Sequence, residues 1–194
     1  MTITDDILAI FNRRGAGAYF GEDVSMTEHA LQAAYFAQAA GAPPALIVAA
    51  LLHDIGHLVE DVPDDLADWT QDAHHEQIGG HWLAKRFRAE VSEPVRLHVP
   101  AKRYLLATDD KYFAKLSPAS VVTLKLQGGP MTAQEVANFK TERYGGDAVL
   151  IRQCDDKGKV AGLKTPGLTD YRSMIEAQTL GRALLQHVDP LQRL

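Results

Sequence analysis

The 194-residue chain has little cysteine and no long apolar run. Its one cysteine, Cys154, excludes an internal disulfide framework and is typical of a protein kept in a reducing cytoplasm. No apolar segment approaches the roughly 20 residues that cross a bilayer. The beginning, MTITDDILAIF, lacks the basic stretch and the long apolar core of a signal peptide. We therefore expect a cytoplasmic protein with no membrane partner.

Positive charge is also scarce. The chain has 20 Lys and Arg against 25 Asp and Glu, which gives a formal net charge of −5. This balance offers no support for nucleic-acid binding, although it leaves room for a local basic pocket. The composition, 46% hydrophobic and 23% charged, is that of an ordinary globular protein, and we expect one domain over residues 1–194.

A third absence is β structure, because no segment shows sustained alternation bounded by hairpin turns. Helical periodicity predicts an all-α fold, a compact helical bundle. Residues 60–71 are predicted to form a loop, and residues 155–167 a surface loop or short hairpin. Helices are predicted over residues 5–14, 25–40, 43–57, 73–88, 92–98, 101–107, 118–127, 132–142, 146–154 and 169–187.

The most informative residues are His53 and Asp54, at the end of the apolar segment PPALIVAALLHDIGH. Burying a polar pair there is costly unless something compensates it, and a metal ion would do so. Adjacent helical side chains diverge by about 100°, so the two groups would reach one metal from different directions, and the carboxylate could extend to a second. Other histidines precede and follow the pair, at His29, His75 and His98. A two-metal site is therefore our first hypothesis.

Further histidines have two interpretations each. His57 shares a helix face with His53 and lies beside Gly56, which would admit the close approach of a ligand. It is equally suited to cap the end of the helix, where a basic residue favours the dipole. His74 and His81 are expected to face solvent.

Two basic residues could bind an anion held at the metals. Lys102 follows His98 by four residues and would share its helix face unless Pro100 kinks the helix; the alternative is a solvated surface lysine. Arg152 and Asp155, spaced i and i+3, could hold a phosphate-like group and a metal, or could form a helical salt bridge of little net energy.

The ordered set of candidate ligands contains four imidazoles and two carboxylates: His29, His53, Asp54, His75, His98 and Asp155. A set of nitrogen and oxygen donors suits iron or manganese better than a thiolate-rich zinc site does.

This order resembles the H…HD…D ligand pattern of the HD-domain superfamily, and the inserted His75 and His98 resemble its dinuclear members. Six further segments extend the similarity from about Tyr19 to Arg172. Together they resemble the HD-domain mixed-valent diiron oxygenases that cleave carbon–phosphorus bonds in organophosphonates. The segments are YFGE at 19–22, HDIGH at 53–57, HVPAKRY at 98–104, LSPAS at 116–120, QGGPM at 127–131 and IRQCDDKGK at 151–159.

The resemblance implies a cofactor of two iron ions, Fe2+ and Fe3+. It assigns His29, His53 and Asp155 to one iron and His75 and His98 to the other, with Asp54 as the bridge. It makes Tyr19 a resting iron ligand that substrate displaces and places Glu22 on the same mobile loop. The remaining residues that it implies would hold the phosphonate oxygens: His57, Lys102, Ser120 and Arg152.

The activity implied by the resemblance is cleavage of an α-hydroxyphosphonate with O2, which releases phosphate and a carboxylate. The expected substrate is (R)-1-hydroxy-2-(trimethylamino)ethylphosphonate, giving glycine betaine, or 2-amino-1-hydroxyethylphosphonate, giving glycine. Phe20 and Asp23 favour the trimethylated compound, since a ring and a negative charge suit a quaternary ammonium. The alternatives are a metal-dependent HD phosphohydrolase, a non-catalytic module that binds a phosphorylated metabolite, and an oxygenase of a cyclic polyol.

Overall fold

The computed structural model describes residues 2–59 and 74–181. Over these ranges the chain is helical, with two isolated β-bridges and no strand, so the expected all-α fold is confirmed. The predicted loop at 60–71 and the end of the last predicted helix lie outside the described residues. The helices are α1 (Ile3–Arg14), α2 (Met26–Ala39), α3 (Pro44–Leu51), α4 (Gly56–Val59), α5 (His75–Ala84), α6 (Ala89–Thr108), α7 (Pro118–Leu126), α8 (Ala133–Phe139), α9 (Gly145–Lys157) and α10 (Arg172–Gln178).

Helix starts follow the local signals in the sequence. The hydroxyl of Ser25 accepts a hydrogen bond from the amide of Glu28, whose carboxylate accepts one from the Ser25 amide, so a capping box begins α2 close to the predicted start at residue 25. Thr2 and Asp5 form the same box at α1. Residues 158–167 form an irregular segment without a hairpin, and a 3-10 turn, Leu168–Tyr171, leads into the short α10.

The core is built around α3. Every residue from Leu46 to Leu51 is buried, because α3 packs against α2, α6 and α9. A helix that is apolar on all sides needs neighbours on all sides. The carboxyl end of α3 therefore lies in the middle of the protein, and the polar residues that follow it are carried into the interior.

The expectation that one helix continues to His57 is wrong. Helix α3 ends at Leu51, residues 52–55 form a turn, and α4 starts at Gly56. His53 and Asp54 therefore lie in a buried turn, where their side chains are not held to the 100° separation of a helix. The amide of His57 donates to the carbonyl of Asp54 at 3.0 Å, which closes this turn.

The two helices predicted at 92–98 and 101–107 form a single helix, α6. It contains Pro94 and Pro100, each of which removes a backbone hydrogen bond. Residues along its whole length are buried, and α6 packs against both α5 and α9; this packing outweighs the lost hydrogen bonds. His98 and Lys102 therefore share one continuous helix.

Candidate metal centre and anion pocket

Three of the candidate histidines are oriented by the backbone. In each, ring nitrogen Nδ1 lies at hydrogen-bond distance from a carbonyl oxygen, which can only accept, so Nδ1 carries the hydrogen. The second nitrogen, Nε2, is then left to face the interior of the site, as in metal-binding histidines. The pairs are His29 with Gly158 at 2.9 Å, His53 with Ala50 at 2.8 Å and His98 with Val95 at 2.7 Å.

The Nε2 atoms meet in pairs. His29 and His53 approach to 3.1 Å between their Nε2 atoms, and His75 and His98 do the same. Two nitrogen lone pairs at that distance repel each other unless a proton or a metal ion lies between them. Metal–nitrogen bonds of about 2.1 Å at right angles separate two nitrogens by about 3.0 Å, so both pairs fit a metal ion.

Asp54 lies between the two pairs. Its Oδ2 is 3.3 Å from Nε2 of His53 and 3.5 Å from Nε2 of His29. Its Oδ1 is 3.3 Å from Nε2 of His75 and 3.6 Å from Nε2 of His98. One carboxylate thus faces both histidine pairs, one oxygen to each, and together they form two three-residue groups able to hold a metal ion.

Asp155 joins the first pair. Its Oδ1 is buried, lies 3.5 Å from Nε2 of His29 and accepts no hydrogen bond from the described residues. Its Oδ2 pairs with Nη1 of Arg152 at 2.7 Å. Burial alone would raise the pKa of Asp155, but Arg152 and Lys159 outweigh it and hold that pKa well below its usual value. A charged oxygen is therefore available to a metal ion beside His29.

His57 lines a cavity together with His75, and it lies in the last turn of the short helix α4. Its ring is 94% buried and stacks on that of His75, with centroids 4.1 Å apart, while the edge of Phe20 lies against it at 4.7 Å. Burial, and then the neighbouring His75, lower its pKa well below the usual value, so His57 is neutral. His74 and His81 are exposed, as expected.

The sequence suggested that Gly56 makes room for a ligand, but in the structure the backbone of α5 fills that space. A Cβ at this position would lie 2.0 Å from the carbonyl oxygen of His75 and 3.0 Å from the amide nitrogen of Gly79. The glycine therefore permits contact between the backbones of α4 and α5, and this contact brings His57 and His75 together.

Lys102 is a buried cation, so the alternative of a solvated lysine is wrong. It is 2% exposed, and its ammonium donates a hydrogen bond to Oγ1 of Thr123 at 3.1 Å. No carboxylate of the residues in 2–59 and 74–181 lies within 4 Å of Nζ. Burial, and then the positive charge of Arg152, lower the pKa of Lys102 to about 7. An uncompensated buried ammonium is costly unless an anion joins it.

Lys102 belongs to an anion pocket, a name we give to the side chains of Lys102, Ser120, Thr123, Arg152 and Lys159. Arg152 is 4% exposed, and its Nη2 lies 3.4 Å from Oγ of Ser120, in the first turn of α7. The predicted ion pair of Arg152 with Asp155 exists, but it is buried in the wall of a cavity. The same cavity is lined by Asp54, His75 and His98 together with the five anion-pocket residues.

The segment from Tyr19 to Glu22 lies against His29 and His57. The hydroxyl of Tyr19 donates to Oδ2 of Asp54 at 2.9 Å, and its ring stacks on that of His29 at 3.8 Å. Phe20 has a positive φ of 44°, which turns its ring toward the cavity that it lines. Asp23 is exposed and does not line this cavity, so only the aromatic half of the expected ammonium site is present.

Lys159 is a site residue to which the sequence analysis gave no role. Its ammonium donates to Oγ of Ser117 at 3.1 Å and of Ser120 at 3.0 Å, and lies 3.9 Å from Oε1 of Glu22 and 4.0 Å from Oδ1 of Asp155. Lysines are usually solvated, and nothing in the run IRQCDDKGK marked Lys159 as a residue that lines a cavity. Its position four residues after Asp155 could have pointed to it.

Over the described residues, a helical fold gathers histidines and aspartates in the order H…HD…H…H…D, which is the pattern of the metal-dependent HD domains. Comparison with known proteins agrees. The HD domain model matches residues 26–124, and the chain belongs to the HD-domain family. None of the helices in the described part of the chain is long and apolar enough to cross a membrane.

Three relatives were found. A [1-hydroxy-2-(trimethylamino)ethyl]phosphonate dioxygenase (glycine-betaine-forming) of Leisingera caerulea is 44% identical over 174 residues, covering 90% of this chain and 89% of the relative. A hydroxymethylphosphonate dioxygenase of Gimesia maris is 45% identical over 161 residues, covering 82% and 80%. An uncharacterized protein of Acanthamoeba polyphaga mimivirus is 31% identical over 171 residues, covering 87% and 78%. The expected enzyme class, an HD-domain oxygenase, is confirmed.

Proposed function

We propose that the protein uses O2 to cleave the carbon–phosphorus bond of an α-hydroxyphosphonate. The observation that carries this proposal is that one cavity is lined both by Asp54, His75 and His98 and by the buried cations of the anion pocket. His29 and His53 lie against the other oxygen of the same Asp54 carboxylate. The names of the two dioxygenase relatives give substrates with the same core, a phosphonate whose α-carbon bears a hydroxyl. A site for redox chemistry beside a site for a phosphonate is what this reaction requires.

The proposed cofactor is two iron ions, one Fe2+ and one Fe3+. His29, His53 and Asp155 would hold one, His75 and His98 the other, and Asp54 would bridge them. The donor set of imidazole nitrogens and carboxylate oxygens fits iron, and the facing Nε2 lone pairs fit a cation in each position. Iron supplies the redox chemistry with O2 that side chains cannot provide.

The chain's own contribution begins with the phosphonate. Lys102 and Arg152 would bind its oxygens as cations, Ser120 by its hydroxyl, and neutral His57 by a ring N–H. Lys102 would gain most, because in the described structure its buried charge has no carboxylate partner. Holding the phosphonate at this end of the cavity would fix the α-carbon next to Asp54 and the histidine pairs.

Tyr19 and Glu22 would act as the residues that substrate displaces. The Tyr19 hydroxyl already donates to Asp54, where the substrate hydroxyl would donate in its place. The segment lies between α1 and α2, outside any helix, so it can change position without breaking helical hydrogen bonds. While it is in place, the ring of Tyr19 covers His29 and shields that part of the site from water.

The overall reaction balances without a further reductant. An α-hydroxyphosphonate and one O2 contain the atoms of one carboxylic acid and one phosphate. The carbon–phosphorus bond breaks, the carbon gains one oxygen and the phosphorus gains one, while O2 accepts the electrons that the carbon and phosphorus lose. The hydroxyl oxygen of the substrate stays on the carbon as the second carboxylate oxygen.

The substituent on the α-carbon defines three candidate substrates. The trimethylamino compound remains the first of these, because the Phe20 ring lines the cavity and an aromatic face suits a quaternary ammonium. The second is 2-amino-1-hydroxyethylphosphonate. The third, hydroxymethylphosphonate, was not expected from the sequence and is suggested by the Gimesia maris relative.

The test is phosphate release by iron-loaded protein given each of the three compounds, with and without O2. Release that requires O2 supports the oxygenase proposal, and the compound with the highest kcat/KM identifies the substituent. Equal release without O2 would contradict the proposal and favour a phosphohydrolase. Phosphate release from none of the three would also contradict it, and protein that binds no metal at all would favour a binding module.

A further inference from the structure

The guanidinium of Arg152 donates hydrogen bonds to two residues that do not line the cavity, Tyr112 and Asp156. Its Nε donates to the hydroxyl oxygen of Tyr112 at 3.0 Å, and its Nη2 donates to Oδ1 of Asp156. The hydroxyl of Tyr112 donates to Oδ2 of the same Asp156 carboxylate. The three side chains therefore close a ring of hydrogen bonds, which we call the Arg152 clamp.

Of the three clamp residues, only Arg152 belongs to the anion pocket. Tyr112 and Asp156 border a separate surface groove beside Leu105 and Gln153, and neither lines the cavity that contains Ser120. Tyr112 is 3% exposed. Burial raises the pKa of Tyr112 well above its usual value, so its hydroxyl keeps the proton that it donates to Asp156.

Asp156 gives Arg152 a second carboxylate partner besides Asp155. Arg152 pairs with both carboxylates, through Nη1 with Asp155 and through Nη2 with Asp156. If Asp155 holds a metal ion, its charge is shared with that ion, and Asp156 remains as the counter-ion of Arg152. A planar guanidinium held on one edge by fixed partners presents its remaining donors in a defined direction.

The guanidinium also reaches the anion pocket, where its Nη2 lies beside Ser120. Four contacts use Nε, Nη1 and Nη2, and the longest of them is the 3.4 Å contact of Nη2 with the Ser120 hydroxyl. One Nη1 hydrogen and this weak Nη2 contact are left for an anion beside Ser120. Without Tyr112 and Asp156, the long side chain of Arg152 could rotate away from that direction.

We propose that Tyr112 and Asp156 are positioning residues that aim Arg152 at the phosphonate group of the substrate. The inference rests on the proposed function, because it assigns Arg152 to the phosphonate. It extends the site to two residues outside the cavity. It also gives the adjacent aspartates distinct roles, Asp155 as a metal ligand and Asp156 as a positioning partner of Arg152.

The experiment compares Tyr112→Phe and Asp156→Asn with the unaltered protein. Each variant is expected to raise KM for the preferred hydroxyphosphonate by about tenfold, the effect of one charge-assisted hydrogen bond, with kcat within about twofold. Inorganic phosphate, measured by calorimetry as a ligand of the metal-loaded protein, should bind about tenfold more weakly. Asp156→Glu keeps the charge and should recover part of the phosphate affinity.

Tyr104→Phe is the matched control. Tyr104 stacks on Phe139 at 4.8 Å, away from the cavity and the clamp, and its hydroxyl can be removed without touching Arg152. This variant should keep the KM and the phosphate affinity of the unaltered protein. Melting temperatures of all variants separate loss of folding from loss of positioning, since a merely structural role would reduce the active fraction and leave KM unchanged.

The outcomes separate the two proposals. If the unaltered protein releases phosphate with O2 and both clamp variants keep its KM and phosphate affinity, the clamp is overturned and the proposed function stands. If one variant does not fold, the other decides by the same two measurements. If the unaltered protein releases no phosphate from any hydroxyphosphonate, the proposed function fails, and the clamp proposal fails with it.

Discussion

At the scale of single residues, the site is defined by which atom carries a proton. Carbonyl oxygens fix the hydrogens of His29, His53 and His98 on Nδ1, so Nε2 is left for a cation. Burial alone would lower the pKa of His53, but the adjacent Asp54 outweighs it and raises that pKa to about 9. Without metal, a proton would occupy the space between His53 and His29, and metal binding would displace it.

Asp54→Ala should remove both metal ions together, because one carboxylate faces both histidine pairs. Metal content per chain after iron loading and desalting measures this. Asp110→Ala, which removes an exposed carboxylate, is the control and should keep the full metal content. A variant at Asp54 that retains the full metal content would contradict the bridging assignment.

Lys102 should make anion binding depend on pH. Its pKa of about 7 in the free protein means that raising the pH above 7 removes its proton, while a bound anion favours the charged form. Affinity for a dianion should therefore be greatest below pH 7 and should fall as the pH rises. Sulfate is the suitable probe, because its own charge does not change between pH 6 and 9.

The control for this prediction is Lys102→Arg, which keeps its charge throughout that range. We expect its sulfate affinity to vary much less with pH than that of the unaltered protein. An equally steep loss of affinity in both proteins would assign the pH dependence to another group.

At the scale of elements, the site depends on a close contact between α4 and α5. Gly56 and Gly79 lie backbone to backbone at this contact, and His57 and His75 stack beside it. Each helix supplies one imidazole to the cavity. The distance between these helices therefore sets the position of His75 relative to Asp54.

Gly56→Ala should destabilise the protein and disturb this arrangement. The added Cβ would lie 2.0 Å from a backbone carbonyl oxygen, which cannot move as a side-chain tip can. Forced overpacking of this kind costs about 1–3 kcal/mol, measured as a lower free energy of unfolding in urea. Gly146→Ala is the control: nothing lies within 4 Å of its new Cβ, and the change should be close to neutral.

The sequence predicted elements well where local signals decide and poorly where packing decides. The predicted start at residue 25 agrees with α2, because the capping box of Ser25 and Glu28 forms by local hydrogen bonds. The single helix α6 was missed, since Pro94 and Pro100 predict an interruption that only burial against α5 and α9 prevents. The turn after Leu51 was missed because it depends on contact with α5.

At the scale of the whole molecule, the two ends of the described chain meet. Nη1 of Arg172 donates to Oδ1 of Asp5 at 3.0 Å, which ties α10 to α1. The backbone amide of Thr2, and then Arg172, lower the pKa of Asp5 to about 2. Because the folded pKa lies below the ordinary value of 3.8, the stabilisation is present above pH 3.8 and is lost as the pH falls toward 2.

Asp5→Asn should therefore destabilise the protein near pH 6 and have a much smaller effect near pH 2.5. Urea unfolding of both proteins at the two pH values measures the difference. Asp6→Asn, an equal change of charge on the neighbouring exposed residue, should not show this dependence to the same degree. An Asp5→Asn effect as large near pH 2.5 as near pH 6 would contradict the interpretation.

The kind of site, a candidate metal centre, could also be predicted from the sequence, because few functions other than metal binding combine histidines and aspartates in this order. The structure brings all twelve predicted site residues to one region, but their functional roles remain predictions. The two lysines were harder to foresee. Lys102 and Lys159 resemble surface lysines in sequence, but Lys102 is buried on α6, and Lys159, which follows α9, is partly buried and lines the same cavity.

The central claim is that O2 is a substrate that oxidises the α-carbon. The measurement that tests it most directly is a reaction of the iron-loaded protein with its preferred hydroxyphosphonate under 18O2, followed by mass spectrometry of the carboxylate product. The account predicts one 18O atom in each carboxylate formed and one O2 consumed for each phosphate released. Phosphate release with an unlabelled carbon product and no O2 consumption would contradict it.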